Sequence, residues 1–283
     1  MLGKACPLCQ SNRTELYAQY EQFSLFYCEE CELVFNSKVL DRVEATHLVN
    51  EVYDDNWVKM RELDRDKTFL EHALFNIMLL NIFAPKGGDM LEIGSGTGEF
   101  LYAARAAGWN VTGFEPSRAA CEYVYNKYGL ELINSAWKGD LAGSSFDVIV
   151  FWHVLEHIAD PFRFLQDTKK VLKKDGIILF SLPNKNAFIN TIMGQNSSLF
   201  TEPDHLYHFS ESNLRTLLER ASLEVISLFS REESTRFLQD IGPRLRSAIT
   251  GQPLAFEEQM GLISHLQSDF KGHELCCVVK PNE

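Results

Sequence analysis

From Asp89 onward, short apolar runs alternate with longer stretches in which apolar positions recur every three or four residues. Short apolar runs bounded by turn residues suit buried strands, and the longer period suits helices packed against them. The alternation predicts βαβ units around a parallel sheet, with strands near 89–93, 110–114, 130–133, 146–151 and 177–182. The punctuation agrees. Gly108 stops the first helix, Ser117 caps the second, and Asp160 before Pro161 places an N-cap ahead of proline at the first helical position. Ser210 opens a later helix that runs to about Ala221, and two more strands are expected near 223–230 and 274–279. An insertion over 231–272 separates them, with helical runs around 236–247 and 254–270.

Upstream, a helical pattern runs from Met60 to Phe83 with Phe69, Leu70, Ala73, Leu74, Ile77 and Leu80 on a broad apolar face, and Pro85 with Gly87 and Gly88 ends it. Residues 36–60 are polar and aromatic without clear period and read as a connector that can also touch an active site. Ahead of them, two Cys-x-x-Cys pairs, Cys6 with Cys9 and Cys28 with Cys31, flank a segment rich in aromatic hairpin-forming residues. Each pair sets two thiolates on one tight turn, and two such turns complete a tetrahedral Zn²⁺ site. Four thiolates leave no open position for substrate, so the zinc is expected to be structural. Cys121, Cys276 and Cys277 lack this spacing and read as apolar core residues. The expected organisation is a zinc-binding module over 1–40, a connector and helical segment over 41–88, and a catalytic domain over 89–283.

Composition narrows the class of partner. With 45% hydrophobic and 23% charged residues in 283, the chain is an ordinary globular one. A net charge of −12 repels a phosphate backbone, which disfavours nucleic acid. Lys169, Lys170, Lys173 and Lys174 form the densest basic cluster and are expected on the solvated end of a helix. No apolar run is long enough to span a bilayer and the N-terminus lacks a signal-peptide core, so a cytoplasmic protein is expected. The sequence leaves its oligomeric state open.

The chemistry centres on Glu92-Ile93-Gly94-Ser95-Gly96-Thr97-Gly98, an apolar strand entering a glycine turn and then a helix. Its third glycine comes one residue earlier than in a dinucleotide-binding turn. Glu115, ending the next strand, is placed to accept both hydroxyls of a ribose. This combination resembles the class I S-adenosylmethionine-dependent methyltransferases, whose first motif is a strand acid followed by GxGxG. The resemblance covers about Asp89 to Lys280 and extends to Ser145–Val150 and to His153-Val154-Leu155-Glu156-His157 with Asp160-Pro161. It implies a Rossmann-like α/β fold: a mostly parallel seven-stranded sheet with an antiparallel last strand. It also implies that Glu92 holds the amino-acid end of the cofactor, that Gly94, Ser95, Gly96 and Gly98 wrap it, and that Glu115 with Pro116 holds the ribose. Where the family often has an acid for the adenine amino group, this chain reads Asn134-Ser135-Ala136-Trp137, so adenine is expected against Ala136 and the Trp137 ring.

Pro183–Phe209 follows the fifth strand, where this fold commonly builds a substrate lid, here 184–209. His205, Tyr207 and His208 concentrate proton-transfer groups at its end. His205 is the expected general base, Tyr207 and His208 are reserves, and His153 is expected to position substrate from the opposite wall. A zinc module ahead of such a domain resembles sugar methyltransferases, which implies a small polar acceptor, a nucleotide-linked or glycan sugar methylated at carbon or oxygen. A quinone-like or phenolic O-methyltransferase is the alternative, in which His153, Glu156 and His157 correspond to divalent-metal ligands of some relatives. Readings of another class are a zinc-ribbon RNA methyltransferase, against which the acidic charge speaks, and a non-catalytic binding module.

Overall fold

The computed structural model describes residues 4–40, 52–64, 69–139, 141, 143, 145–232 and 256–282. The N-terminal strands are β1 (Thr14–Gln19), β2 (Ser24–Cys28) and β3 (Val34–Asn36). Helices α1 (Asp55–Asp64) and α2 (Leu70–Phe83) lead into β4 (Asp89–Ile93), α3 (Glu99–Ala106), β5 (Asn110–Phe114), α4 (Arg118–Tyr128) and β6 (Phe146–Trp152). Then follow α5 (Pro161–Lys169), β7 (Leu172–Pro183), α6 (Phe188–Met193), α7 (Ser198–Thr201), β8 (Tyr207–His208), α8 (Glu211–Arg220), β9 (Leu223–Arg231), α9 (Phe256–Ser268) and β10 (Glu274–Pro281).

The main sheet has the order β5-β4-β6-β7-β10-β9. β10 pairs antiparallel with both β7 and β9, while β5, β4, β6 and β7 pair in parallel. The last strand thus slots between two strands that run the other way, closing the sheet with one reversed member. The expected strand at 130–133 shrinks to one bridge between Ile133 and Phe114, leaving six strands. Ile133 and its neighbours bond Gly113 and Glu115, but the Asn134 amide then turns to the Glu115 and Pro116 carbonyls and diverts the chain from the ladder.

The caps follow the sequence. Ser117 Oγ accepts from the Ala120 N–H at 3.1 Å, Asp160 Oδ1 from Arg163 at 3.0 Å, and Ser210 forms a capping box with Asn213. Two expectations need correction. Of the apolar face assigned to 60–83, Leu70 and Leu74 are exposed, whereas Ala73, Asn76, Leu79 and Leu80 are buried. That helix is apolar nearly all round, so its period does not say which side faces inward. Of the lysine cluster, Lys169 ends α5, but Lys173 lies in β7 and pairs with Asp89 and Asp147. The helical run expected at 236–247 lies outside the described residues, and α9 occupies most of the run expected at 254–270.

The four-cysteine segment shares the core of the large domain. Cys6, Leu8, Cys28, Leu33 and Phe35 belong to one buried cluster with Phe151, Phe180 and Leu206, and β3 pairs with β8 in a second sheet ordered β1-β2-β3-β8. Cys276 and Cys277 are buried in the main sheet, while Cys121 is half-buried with its thiol directed at the Glu115 carbonyl.

Candidate active site

The C-terminal ends of β4, β5 and β6 open onto a cavity of about 1050 Å³. Glu92, Gly94, Ser95, Gly96, Glu115, Pro116, Ala136 and Trp137 all line it. Gly94 and Gly96 have φ of 75° and 53°, in the left-handed region that side chains avoid. A Cβ on Gly94 would stand 2.6 Å from Val154, so the loop turns where only glycine fits. Gly98 does not line the cavity. It caps α3 with φ 79°, and a Cβ there would meet Val124 at 2.8 Å, so its role is close packing of α3 against α4.

Glu92 is buried, its Oε2 has no hydrogen-bond partner among the described residues, and burial pushes its carboxyl well above the ordinary carboxylate range. An orphaned buried acid of this kind calls for a donor from a ligand, and an ammonium group supplies one. Burial also raises Glu115, opposed by the N–H groups of Ser117 and Gly96, each at 2.8 Å. Those bonds fix the carboxylate while leaving acceptor capacity for ribose hydroxyls. Trp137 stands edge-on to Phe114 at 5.0 Å on the cavity wall.

Arg61, absent from the sequence reading, also lines the cavity. α1 carries it over the glycine loop, where its guanidinium stacks on Phe69 at 3.7 Å and over Trp57 at 4.9 Å. Its Nε donates to Thr97 Oγ1 at 3.1 Å. The Trp57–Arg61 spacing on one helix face was the available signal, with the aromatic and the cation one turn apart.

At the far end the cavity is lined by Tyr53, His72, His153, Glu156, His157, Glu202, Asp204 and His205. His153 adopts φ 53° just beyond β6. Its Nε2 lies 2.9 Å from Glu274 and its Nδ1 3.6 Å from Glu156. Burial alone would depress this imidazole, but the two carboxylates outweigh it and hold its pKa up to about 10. Glu274 is itself bonded to Arg231 at 2.7 Å.

His157 Nδ1 lies 3.0 Å from the Asp204 carbonyl and 3.3 Å from its carboxylate. A carbonyl only accepts, so Nδ1 carries the proton and Nε2 keeps a lone pair. Burial holds this ring below the ordinary imidazole range, so it is neutral at pH 7. Tyr53 Oη sits 3.4 Å from Nε2 and donates to Asp204 Oδ2 at 3.2 Å.

His205 is different. Its Nδ1 faces the Leu199 carbonyl at 3.2 Å and its Nε2 the Glu202 carboxylate at 3.0 Å. Burial opposes charge there too, but Glu202 raises its pKa to about 9. With both nitrogens facing acceptors, this imidazolium has no lone pair for an incoming proton.

The two reserve bases do not reach the cavity. Tyr207 is buried with its hydroxyl donating to the Ala159 carbonyl at 3.0 Å, and His208 is fully buried against Phe200. Their strand pairs with Val34 and Phe35 of β3, which draws both side chains into the packing between sheet and module.

The four thiols converge at the N-terminus. Cys6 and Cys31 sulfurs lie 3.6 Å apart, as do those of Cys9 and Cys28, and all four lie within 4.8 Å of one another. A tetrahedron of thiolates about 2.3 Å from zinc sets sulfurs roughly 3.8 Å apart, so the donor set fits Zn²⁺.

Residues 67–228 match the family model described as "Methyltransferase domain". The chain is 30% identical over 166 residues, 52% of its own length and 71% of the relative's, to the ubiquinone biosynthesis O-methyltransferase of Actinobacillus pleuropneumoniae serotype 7 (strain AP76). It is also 30% identical over 141 residues, 49% of its length and 53% of the relative's, to a probable S-adenosylmethionine-dependent methyltransferase of Mycolicibacterium smegmatis. Among solved structures it superimposes on magnesium protoporphyrin IX methyltransferase of Synechocystis PCC 6803 with TM-score 0.57 at 12% identity, covering 84% of this chain and all of that one. The chain belongs to the methyltransferase-domain family. It is a class I S-adenosylmethionine-dependent methyltransferase.

Proposed function

We propose that the protein methylates a hydroxyl oxygen of a small polar acceptor and that His157 removes the proton. The observation that carries this reading is the lone pair on His157 Nε2, held in the cavity by the Nδ1–H bond to Asp204. Bound S-adenosylmethionine supplies an electrophilic methyl group. The chain's own residues bind, orient and deprotonate. Glu92 and Arg61 face the amino-acid end, Glu115 the ribose, and Ala136 with Trp137 the adenine. His157 takes the hydroxyl proton at Nε2 while Asp204 holds the ring in place. His153, held between Glu156 and Glu274, positions the acceptor from the opposite wall.

A phenolic or quinone-like acceptor is the leading class, because relatives at 30% identity are named ubiquinone biosynthesis O-methyltransferases. Net charge keeps nucleic acid disfavoured. The four cysteines are assigned a structural Zn²⁺.

Transfer of labelled methyl from S-adenosylmethionine to a panel of phenols, catechols and nucleotide sugars tests the acceptor. With the acceptor in hand, His157→Gln should lower kcat about 10² to 10⁴-fold while cofactor affinity stays close to wild type. Near wild-type turnover in that variant excludes His157 as the base. Turnover that vanishes with chelator in a protein lacking the four thiols would assign the deprotonation to a second metal at Glu156 and its histidines.

A further inference from the structure

No residue of 4–40 lines the cavity, yet the Asn36 side chain of the cysteine module bonds the turn that forms its acceptor wall. Asn36 ends β3 and is fully buried. Its N–H donates to the Leu206 carbonyl at 2.9 Å, and its side-chain Nδ2 donates to the Pro203 carbonyl at 3.1 Å and to His205 O at 3.5 Å. Its Oδ1 in turn accepts from the Lys38 N–H at 3.0 Å. The residues it grips, 203–206, carry Asp204 and His205 into the cavity, and the Leu206 N–H bonds the Glu156 carbonyl at 2.8 Å. One turn is therefore held from the module on one side and from the catalytic loop on the other.

The module itself is fastened nearby. Asn213 donates to the Cys31 carbonyl and Lys185 to the Glu32 carbonyl, so the knuckle between Cys28 and Asn36 is tied to α8 and the lid. β8 offers only two paired residues, too short a ladder to fix the preceding turn alone. A neutral amide suits the task because the turn presents carbonyl acceptors at its core, and unmade bonds there would leave them buried without donors.

We propose that Asn36 is a positioning residue that fixes the 203–206 turn, and with it the Asp204 that orients His157, so that metal loading of the cysteine module sets the geometry of the acceptor wall. This rests on the assignment of His157 and Asp204 above. The module then acts on methyl transfer without touching substrate or cofactor.

Amide hydrogen exchange of the zinc-loaded full chain, bound to S-adenosylhomocysteine, provides the test. Asn36→Ala and Asn36→Asp remove the side-chain donors, the second with little change in size. Both should keep one zinc per chain and cofactor-product affinity within about twofold of wild type, while amides of 203–208 exchange on the order of tenfold faster. Stripping zinc from the wild-type protein should raise exchange in the same segment. Unchanged exchange there in both variants overturns the anchoring role. Faster exchange in the variants but not on zinc removal overturns the link to the metal. Lost affinity for S-adenosylhomocysteine in both variants also overturns the proposal, because it shows a general collapse of the domain. None of these readouts needs His157 to be the base. That reading fails separately, if His157→Gln retains turnover.

Discussion

His157 and His205 have ring centroids 4.9 Å apart, yet their surroundings give them opposite protonation. One ring meets a carbonyl at a single nitrogen and is buried neutral; the other meets acceptors at both nitrogens and is held charged. His205 was the more legible histidine, standing in a lid segment rich in proton-transfer groups. What decides its state is Glu202 and the Leu199 carbonyl, contacts set by the turns of the lid rather than by any period in the sequence. The glycine loop and strand acids that line the cavity were legible because glycines with a strand acid form a local signature, whereas Tyr207 and His208 lie outside it because β3, far away in the chain, takes up their strand. A pH experiment separates the two states. The His205 pKa is raised from 6.5 to about 9 in the folded protein, so its pair with Glu202 contributes its full stability below pH 6.5 and loses it as pH rises through 9. Thermal midpoints measured from pH 6 to 10 should fall along the alkaline limb, and Glu202→Gln should flatten that fall. An alkaline limb unchanged in the variant would show that His205 is not paired this way.

At the scale of the element, α1 and α2 close the cavity from above, one carrying Trp57 and Arg61, the other His72, Ala73 and Asn76. The sequence announced helix here but not its inward face, since α2 buries Asn76 while leaving Met78 and Ile82 exposed. Arg61 stacked between Phe69 and Trp57 is held beside the orphaned Glu92 oxygen's end of the site. Arg61→Ala should weaken S-adenosylmethionine binding by about 1.5 to 3 kcal/mol, the range of a hydrogen bond to a charged group. Glu115→Ala should weaken it by a similar amount, and calorimetry on both variants is the check; unaltered affinity in the two would place the cofactor elsewhere. Gly98→Val should act differently. Its φ of 79° and the 2.8 Å approach to Val124 predict a loss of fold stability, since a β-branched residue is strained there and α4 must move. Denaturant midpoints read that loss directly.

Across the whole molecule, the boundary expected near residue 40 is crossed by packing. The Cys-x-x-Cys spacing made the convergence of the four thiols legible, but spacing carries no information about what the module leans on. That information lies in Leu8, Leu33 and Phe35, which in the structure join Phe151, Phe180 and Leu206 in one buried cluster. Arg220 donates to the Leu8 carbonyl from α8, adding a polar tie across the same contact. A module with its own core would melt on its own when zinc is withdrawn, leaving the larger domain at its original midpoint. A module that shares the core cannot do so, because opening it strips Phe35 and Leu33 from the strands that carry the catalytic loop. Calorimetric melting should therefore show one transition for the described core both with zinc and after chelation, with the chelated protein melting lower. Cys28→Ser should shift the same single transition downward and reduce bound zinc below one per chain by elemental analysis. A separate low-temperature transition on chelation, with the main one unmoved, would show the module to be an independent unit and would deny it any hold on the acceptor wall.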